Sequence, residues 1–316
     1  MPPSAEPLTA GIDVGGTKTL GVAVDSQGGI RASVRTGTVG GDADAVVAGI
    51  VRTLRRLARA VAIDPLGFDA VGVGVPGVVD VDAGTVRHAV NLGLDGTPIA
   101  LAERLADEAG LRPIIENDVN AAAIGVTTAL ALGDEDDLAY LSIGTGIAAG
   151  FVLGGRLRRG RRGTAGEIGH LPLDPAGPVC ECGQRGCLEA AASGPAGARR
   201  WPSANGVAPA VALLAAARAA DADAVAARDE IAEYLAAAVT LLALSVDPDL
   251  IVLGGGVAEA GRDLLDAVHV ALRRRALGSP LVDATELSGR VQLAPAGVPV
   301  GAVGAARLAR RAVLGT

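Results

Sequence analysis

Residues 163–189 read GTAGEIGHLPLDPAGPVCECGQRGCLE and contain all three cysteines of the chain, Cys180, Cys182 and Cys187, together with His170. An odd number of cysteines argues against a complete disulfide framework, and Cys180 and Cys182 are too close along the chain to bridge comfortably. Three thiolates and one imidazole instead make a closed tetrahedral zinc set that leaves no position for a catalytic water. The spacing predicts a structural zinc that stabilises this Gly- and Pro-rich loop, with reduced structural thiols as the alternative.

Several polar side chains accompany the loop. A metal that fixes it would place Glu167, His170 and Glu189 rigidly around one cavity. Such groups, with the amides of Asn91 and Asn117, recognise polyols, since every hydroxyl needs a hydrogen-bond partner. Aromatic residues make up only 2% of the chain, so hydrogen bonds rather than stacking are expected to carry specificity. His170 can bind metal through one ring nitrogen and donate or accept a hydrogen bond through the other.

Length and composition set the broad class of protein. The chain has 316 residues, enough for two domains, and half of them are apolar, which allows a sizeable core. A net charge of −7 argues against nucleic-acid binding, for which a basic face is usual. The sequence shows neither a basic-then-apolar leader nor an apolar run of about 18 residues. We therefore expect a cytoplasmic protein that binds neither nucleic acid nor membrane.

The opening of the chain is repeated further on. Residues 8–25 alternate apolar and other side chains around the turn at 15–18, which predicts a strand, a turn and a strand. Residues 138–156 repeat this order around the turn at 144–146. The repeat indicates an internal duplication and two domains of similar topology.

Apolar periodicity places the remaining elements. We expect a helix capped by Thr97, with Pro98 in its first turn and Gly110 at its C-terminal cap. Other predicted strands are 70–75, 113–116, 250–253 and 291–293, and other predicted helices are 44–63, 119–132, 229–246, 262–274 and 301–313.

Three glycine-rich turns follow predicted strands. Exposed N–H groups in such turns form a concave anion site, and two hairpin turns facing each other can grip a polyphosphate. None has the Walker sequence, which disfavours a P-loop nucleotidase. The predicted phosphate-binding residues are Gly15, Gly16, Thr17, Lys18, Gly144, Thr145 and Gly146, with Gly254, Gly255 and Gly256 in the third turn.

Two aspartates are candidates for chemistry. Asp13 precedes the first turn, where a carboxylate can hold a hydrated Mg²⁺ beside phosphates or can simply cap its own turn. Asp118 lies where a strand gives way to a helix. It can accept the proton of a phosphoryl-acceptor hydroxyl, or it can act as the helix N-cap, and spacing alone does not separate these readings.

Taken together, these motifs resemble the ROK family of bacterial sugar kinases, within the actin-like ATPase superfamily. The resemblance extends from Gly11 to about Ala306. It is carried by the stretches DVGGTK at 13–18, ENDVNAA at 116–122, IGTG at 143–146, GEIGH at 166–170, CxCGxxGCLE at 180–189 and GGG at 254–256.

The resemblance implies ATP-dependent phosphorylation of a hexose, usually at the 6-hydroxyl. It makes Asp118 the general base and assigns Asn91, Asn117, Glu167, His170 and Glu189 to the sugar. The turns near residues 15 and 145 would hold phosphates, and the turn at 254 would lie by the adenosine. His170, Cys180, Cys182 and Cys187 would bind zinc.

The implied fold is α/β, with two actin-like (ribonuclease H-like) domains, mixed sheets flanked by helices and an active-site cleft between the domains. Residues 1–117 would form the small N-terminal domain, on which a C-terminal helix at about 301–316 packs back. Residues 118–300 would form the large domain with the zinc loop 163–189. Family members commonly form dimers or tetramers, so we expect a homodimer or homotetramer.

The motif at 167–170, with Glu189, is most similar to that of ATP-dependent glucokinases, so glucose is the expected hexose. The loop Asn91-Leu92-Gly93-Leu94 departs from the usual Asn-Leu-Pro-Trp type, which keeps N-acetylmannosamine and other hexoses open. A sugar-sensing regulator is a second reading, although no segment before residue 10 resembles the DNA-binding domain that family repressors carry. A third reading replaces ATP by polyphosphate on a basic track of Arg158, Arg159, Arg161 and Arg162.

Overall fold

The alternating apolar residues near the start of the chain form an antiparallel hairpin in the computed structural model of the protein, which describes residues 6–94, 96–203 and 207–315. Contacts divide the chain into two units. Unit 1 contains the residues up to Leu132, Arg159–Ala165 and the residues from Gly297 onward. Unit 2 contains Gly133–Arg158 and Gly166–Ala296. The domain boundary predicted between residues 117 and 118 stays a prediction.

The elements follow the predicted order closely. The strands are β1 (Thr9–Val14), β2 (Lys18–Val24), β3 (Ile30–Gly37), β4 (Ala70–Val75), β5 (Val78–Asp80), β6 (Thr85–Arg87), β7 (Ile114–Asn117), β8 (Leu138–Ile143), β9 (Ile147–Leu153), β10 (Arg156–Leu157), β11 (Leu250–Gly254) and β12 (Val291–Leu293). The helices are α1 (Ala43–Ala60), α2 (Leu101–Ala109), α3 (Asp118–Ala129), α4 (Leu188–Ala192), α5 (Gly194–Arg200), α6 (Pro209–Arg218), α7 (Ala222–Val246), α8 (Arg262–Leu277), α9 (Pro280–Asp283), α10 (Leu287–Arg290) and α11 (Val300–Leu314). Among the helices in the described ranges, none has both the length and the apolar character needed to cross a membrane.

The predicted start of α2 is wrong. The helix begins at Leu101 with Ala100 as its N-cap, and Thr97 lies outside it. The reason is a backbone pairing that no local sequence pattern predicts. Ile99 and Val86 exchange N–H···O bonds of 2.8 and 2.9 Å, and these bonds hold Ile99 in an extended conformation. The helix end is as predicted, because Gly110 adopts the left-handed conformation of a C-terminal cap.

The sheets of the two units have the same topology. In unit 1 the strand order is β3-β2-β1-β4-β7, and in unit 2 it is β10-β9-β8-β11-β12. In each sheet the hairpin strands pair antiparallel, and the inner hairpin strand pairs parallel with the next strand of the series. Both sheets are therefore mixed, and the predicted similarity of topology between the two halves of the chain is confirmed.

Helices cover both faces of the unit 1 sheet. Along β1, side chains alternate between faces, so Ile12 packs in the core that contains α1 while Gly11 faces α11. The backbone of α11 lies directly on the strands. A Cβ at Gly11 would lie 1.9 Å from the carbonyl oxygen of Ala302, and one at Gly72 of β4 would lie 1.9 Å from that of Ala305. Only glycine permits this approach, which fixes the last helix of the chain onto the first sheet.

Candidate active site

Unit 1 brings Asp13, Lys18 and Asp118 close together. Strands β1, β4 and β7 are parallel, so Asp13 near the end of β1 and Asp118 just after β7 share the carboxyl edge of the sheet. Burial, and to a smaller extent the nearby Asp118 carboxylate, raise the pKa of Asp13 to about 7, while Lys18 opposes the shift. This edge carries negative charge that a bound cation would stabilise.

The N-cap of α3 is Asn117, not Asp118. Asn117 Oδ1 accepts hydrogen bonds from the backbone N–H groups of Val119 and Asn120, both at 3.0 Å, and its Nδ2 donates to Gly77 O at 3.0 Å. Asp118 occupies the first helical position, with Oδ1 3.0 Å from the backbone nitrogen of Val119. The alternative that Asp118 serves only as the N-cap of α3 is therefore wrong, because Asn117 is the N-cap.

A buried ion pair supports this helix start. Glu116 is 2% exposed, and its Oε2 accepts from Arg159 Nε at 2.7 Å and Nη2 at 2.6 Å. Its Oε1 accepts from the backbone N–H of Asn117 at 3.0 Å and from Asn120 Nδ2 at 3.2 Å. This role of Arg159 was not predicted from the sequence, in which the residue belongs to a basic loop. The available signal was a glutamate that ends an apolar strand, since a buried carboxylate needs a partner.

The first glycine-rich turn is held by its own backbone and by Thr38. Gly15 N–H donates to Lys18 O at 3.0 Å, while Thr38 donates its hydroxyl to Gly15 O at 2.6 Å and its N–H to Thr17 O at 3.1 Å. Asn91 lies against the turn, with its Cβ 3.6 Å from where a Cβ at Gly16 would be. Unit 1 thus places two predicted groups, the turn and Asn91, side by side.

In unit 2, the other two glycine-rich turns are adjacent. Gly144 N–H donates to Gly146 O at 2.9 Å, and Val257 N–H, just past the third turn, donates to Ile143 O at 2.8 Å. A Cβ at Gly144 would lie 3.9 Å from the nitrogen of Gly256. An apolar cavity lies next to them, with lining residues that include Gly194, Leu213, Leu214, Ile231 and Val257.

The predicted sugar-binding residues of unit 2 lie around the same hairpin. Glu189 Oε2 accepts from Ile147 N–H at 2.9 Å and lies 2.5 Å from where a Cβ at Gly146 would be. Burial raises the pKa of Glu167, His170 lowers it and Glu189 raises it, so the three side chains are within electrostatic range of one another. Glu167, His170, Glu189 and the Gly144–Gly146 turn therefore form one group.

The three cysteines and His170 form a tight cluster whose ligand atoms all lie within 4.8 Å of one another. Cys182 Sγ is 3.7 Å from Cys187 Sγ, and Cys180 Sγ is 3.8 Å from His170 Nδ1. Zn–S bonds of about 2.3 Å give tetrahedral edges of about 3.8 Å, so the donor set and its spacing fit zinc. The Gln184 N–H, as the main cause, lowers the pKa of Cys182 to about 6, whereas burial raises the pKa values of Cys180 and Cys187.

Comparison with known proteins identifies the family of the chain. A sequence model described as "ROK family" matches residues 9–312. The chain belongs to the ROK family. Two relatives named glucokinase are similar to it. That of Halalkalibacterium halodurans is 37% identical over 63% of this chain and 64% of its own length, and that of Streptomyces coelicolor is 33% identical over 96% of this chain and 98% of its own.

A solved ROK structure confirms the fold. The ROK family glucokinase from Streptomyces griseus, crystallised with glucose and AMPPNP, is 34% identical, with 96% of this chain and 99% of that chain covered and a TM-score of 0.80. The predicted fold class of two actin-like α/β domains, with mixed sheets flanked by helices, is thus confirmed for this ROK protein.

Proposed function

We propose that this ROK protein is an ATP-dependent hexose kinase that transfers the γ-phosphate to the 6-hydroxyl of a hexose, with glucose as the expected substrate. The observation that carries the proposal is the pairing of Asp13 and Asp118 at one edge of the unit 1 sheet, next to the Gly15–Lys18 turn. Glucokinase relatives that span nearly the whole chain support the same activity.

Asp118 acts as the general base. As the 6-oxygen of the sugar attacks the γ-phosphorus, its proton passes to the Asp118 carboxylate, the bond to the β–γ bridging oxygen breaks, and ADP leaves. This role needs a carboxylate in a fixed position. The Asn117 cap and the Glu116–Arg159 pair supply that position, since both act on the backbone directly before Asp118.

Asp13 is proposed to hold hydrated Mg²⁺ beside the phosphates. The alternative, in which Asp13 caps its turn, is weakened because Thr38 and Lys18 already supply the hydrogen bonds that close it. A buried carboxylate whose pKa is raised to about 7, next to a second carboxylate, suits a cation that restores its ionised form. When bound, Mg²⁺ neutralises the charge of the transferring phosphate.

The remaining predicted residues take binding roles in the proposal. Asn91, Asn117, Glu167, Glu189 and His170 hydrogen-bond the hexose hydroxyls. The turns at 15–18 and 144–146 hold phosphates through their N–H groups, and the turn at 254–256 lies by the adenosine. The support for this last role is the position of the third turn beside the Gly144–Gly146 turn, with Gly256 N 3.9 Å from where a Cβ at Gly144 would be.

A structural Zn²⁺ is proposed for His170, Cys180, Cys182 and Cys187. With His170 Nδ1 facing the sulfur atoms, Nε2 stays available for a sugar hydroxyl. The ion would cross-link the loop that carries Glu167 and would supply no chemistry to the reaction. A homodimer or homotetramer in the cytoplasm completes the proposal, and light scattering during size-exclusion chromatography tests the oligomer.

The deciding experiment is a screen of hexoses with ATP and Mg²⁺, with ADP release as the readout. Glucose, mannose, N-acetylglucosamine and N-acetylmannosamine are compared at equal concentration, with polyphosphate replacing ATP in a parallel series. We expect the highest kcat/KM with glucose and ATP. Binding of a hexose without any ADP release would contradict the kinase and favour a sugar sensor.

A further inference from the structure

A second cavity lies in unit 1, away from the proposed catalytic edge. It has a volume of about 320 Å³ and lies between the end of β2, the start of β1, α3 and α11. Its lining residues are Thr9, Val24, Asp25, Ser26, Gln27, Gly28, Thr128, Val303, Ala306, Arg307, Arg310 and Arg311. Thr9 begins β1 and Asp13 lies near its other end, about 13 Å along the strand, so the two sites are distinct.

Three arginines make one wall of this cavity positively charged. Arg307, Arg310 and Arg311 are spaced three and four residues apart on α11, so they share one face of the helix. Two are held against the wall by hydrogen bonds: Arg307 Nη1 donates to Thr128 Oγ1 at 2.9 Å, and Arg310 Nη1 donates to Asp25 O at 3.3 Å. Their guanidinium groups are therefore oriented before any ligand arrives.

The carboxylate of Asp25 does not cancel this charge. Asp25 is 6% exposed, and its carboxylate accepts from the N–H groups of Gln27 and Gly29, both at 2.8 Å, and from Arg31 Nε at 2.7 Å. Arg31, which is outside the lining, pairs with this carboxylate and also with Glu6. The described lining residues hold three arginines against one carboxylate, so the wall keeps a net positive charge.

We propose that this cavity binds a small phosphorylated metabolite, with the phosphate on the arginines of α11. Planar guanidinium forks match phosphate oxygens in geometry and charge. The hydroxyl of Ser26 and the amide of Gln27 are available in the wall for the polyol part of such a ligand. The volume is in the range of sites for small ligands. The proposal stands on the cavity alone and does not depend on the kinase assignment.

Isothermal titration of the full-length protein tests the proposal, with inorganic phosphate and glucose 6-phosphate as probes. The titrations are run with and without saturating glucose and AMPPNP, which occupy the proposed catalytic site. We expect one binding event that survives saturation. It should weaken about tenfold or more in the Arg310→Gln/Arg311→Gln variant, because the variant removes two guanidinium groups that make charge-assisted contacts with phosphate. Arg56→Gln, an exposed arginine on α1, is the matched control and should bind as wild type does.

Two outcomes would overturn the proposal: no binding of either probe at 10 mM (on the order of the weakest useful affinities), or equal binding by wild type and the double variant. Circular dichroism checks that the double variant is folded. If it is not, the single Arg311→Gln variant, near the helix end, takes its place with the same expected direction. Because the readout is binding, a failed kinase assay does not affect the result.

Discussion

Arg159 forms an ion pair with the buried carboxylate of Glu116, with Nη2 2.6 Å and Nε 2.7 Å from Oε2. The other oxygen of Glu116 accepts from the backbone of Asn117 and from the side chain of Asn120, which are on either side of Asp118. A residue 43 positions away in sequence thus holds the helix start that presents the proposed base. It also removes Arg159 from any basic track for polyphosphate.

Replacing Arg159 by glutamine tests this positioning role. The change leaves a buried carboxylate without its cation, and because Arg159 is 36% exposed we expect a loss of about 1–3 kcal/mol in unfolding free energy. We also expect kcat to fall about tenfold with little change in the KM for hexose, since a displaced base slows only the chemical step. Arg161→Gln, an exposed neighbour, is the control. An unchanged kcat in a folded Arg159→Gln protein would contradict the role.

The Asp118→Asn substitution separates binding from chemistry. An amide keeps the shape of the side chain but cannot accept the hydroxyl proton, so kcat should fall about 10²- to 10⁴-fold. Glucose binding, measured by titration calorimetry, should stay measurable. Wild-type turnover by this variant would remove Asp118 from its proposed role.

The raised pKa of Asp13 predicts how stability depends on pH. The folded protein holds a proton on Asp13 up to about pH 7, whereas the unfolded chain releases it near 3.8. The folded state therefore binds more protons between these values, and this contribution to stability is lost as pH rises through them. Relative to Asp13→Asn, wild type should lose up to about 4 kcal/mol between pH 4 and pH 7.

Urea unfolding of both proteins in EDTA at several pH values measures this difference. The comparison with Asp13→Asn matters because other carboxylates add their own pH dependence to both proteins equally. Parallel stability curves for the two proteins would show that Asp13 titrates normally. Adding Mg²⁺ with nucleotide should reduce the difference, since a cation favours the ionised carboxylate.

Removing one thiol tests the zinc site. Wild-type protein should contain about one zinc per chain by plasma emission spectrometry, and Cys182→Ser should contain nearly none. The variant should also melt about 5 °C lower or more, because the loop loses its cross-link. Glu181→Gln, a neighbouring exposed position, should keep both metal and melting temperature. Full zinc content in the Cys182→Ser protein would contradict the ligand assignment.

Gly72→Ala tests the packing of α11 on the sheet. The added methyl would lie 1.9 Å from the carbonyl oxygen of Ala305, so the helix must move, and we expect a loss of about 3 kcal/mol in unfolding free energy. Gly37→Ala in the same sheet has open space and should change stability by about 0.5 kcal/mol or less. Equal free energies of unfolding for the two variants in urea would show that α11 can shift away from the sheet at little cost, which would contradict the prediction.

Local pattern was enough to predict most of the fold. The strands β1, β2, β4 and β12 follow from apolar alternation or short apolar runs, and the repeat of hairpin and turn correctly predicted two sheets of one topology. The prediction failed where the conformation of a residue depends on a partner that is distant in sequence. Ile99 is extended because Val86 pairs with it, and this pairing moves the first residue of α2 from the predicted Pro98 to Leu101.

The candidate site shows the same limit. Asn117 and Asp118 are both good N-caps by residue type, and only the structure shows that Asn117 takes the role. The Glu116–Arg159 pair and the arginine-lined cavity join residues far apart along the chain, so no local motif predicts them. The cysteine cluster was predictable because its ligands are close in sequence.

The place of α11 has a consequence for biosynthesis. The helix follows every other described element along the chain, yet it packs directly on β1 and β4, which precede it by many elements. Domains generally fold as units during synthesis, starting at the N-terminus. Here the part of the first sheet that α11 covers stays uncovered until that helix has been made, and all of unit 2 precedes the helix, so unit 2 has the opportunity to fold first.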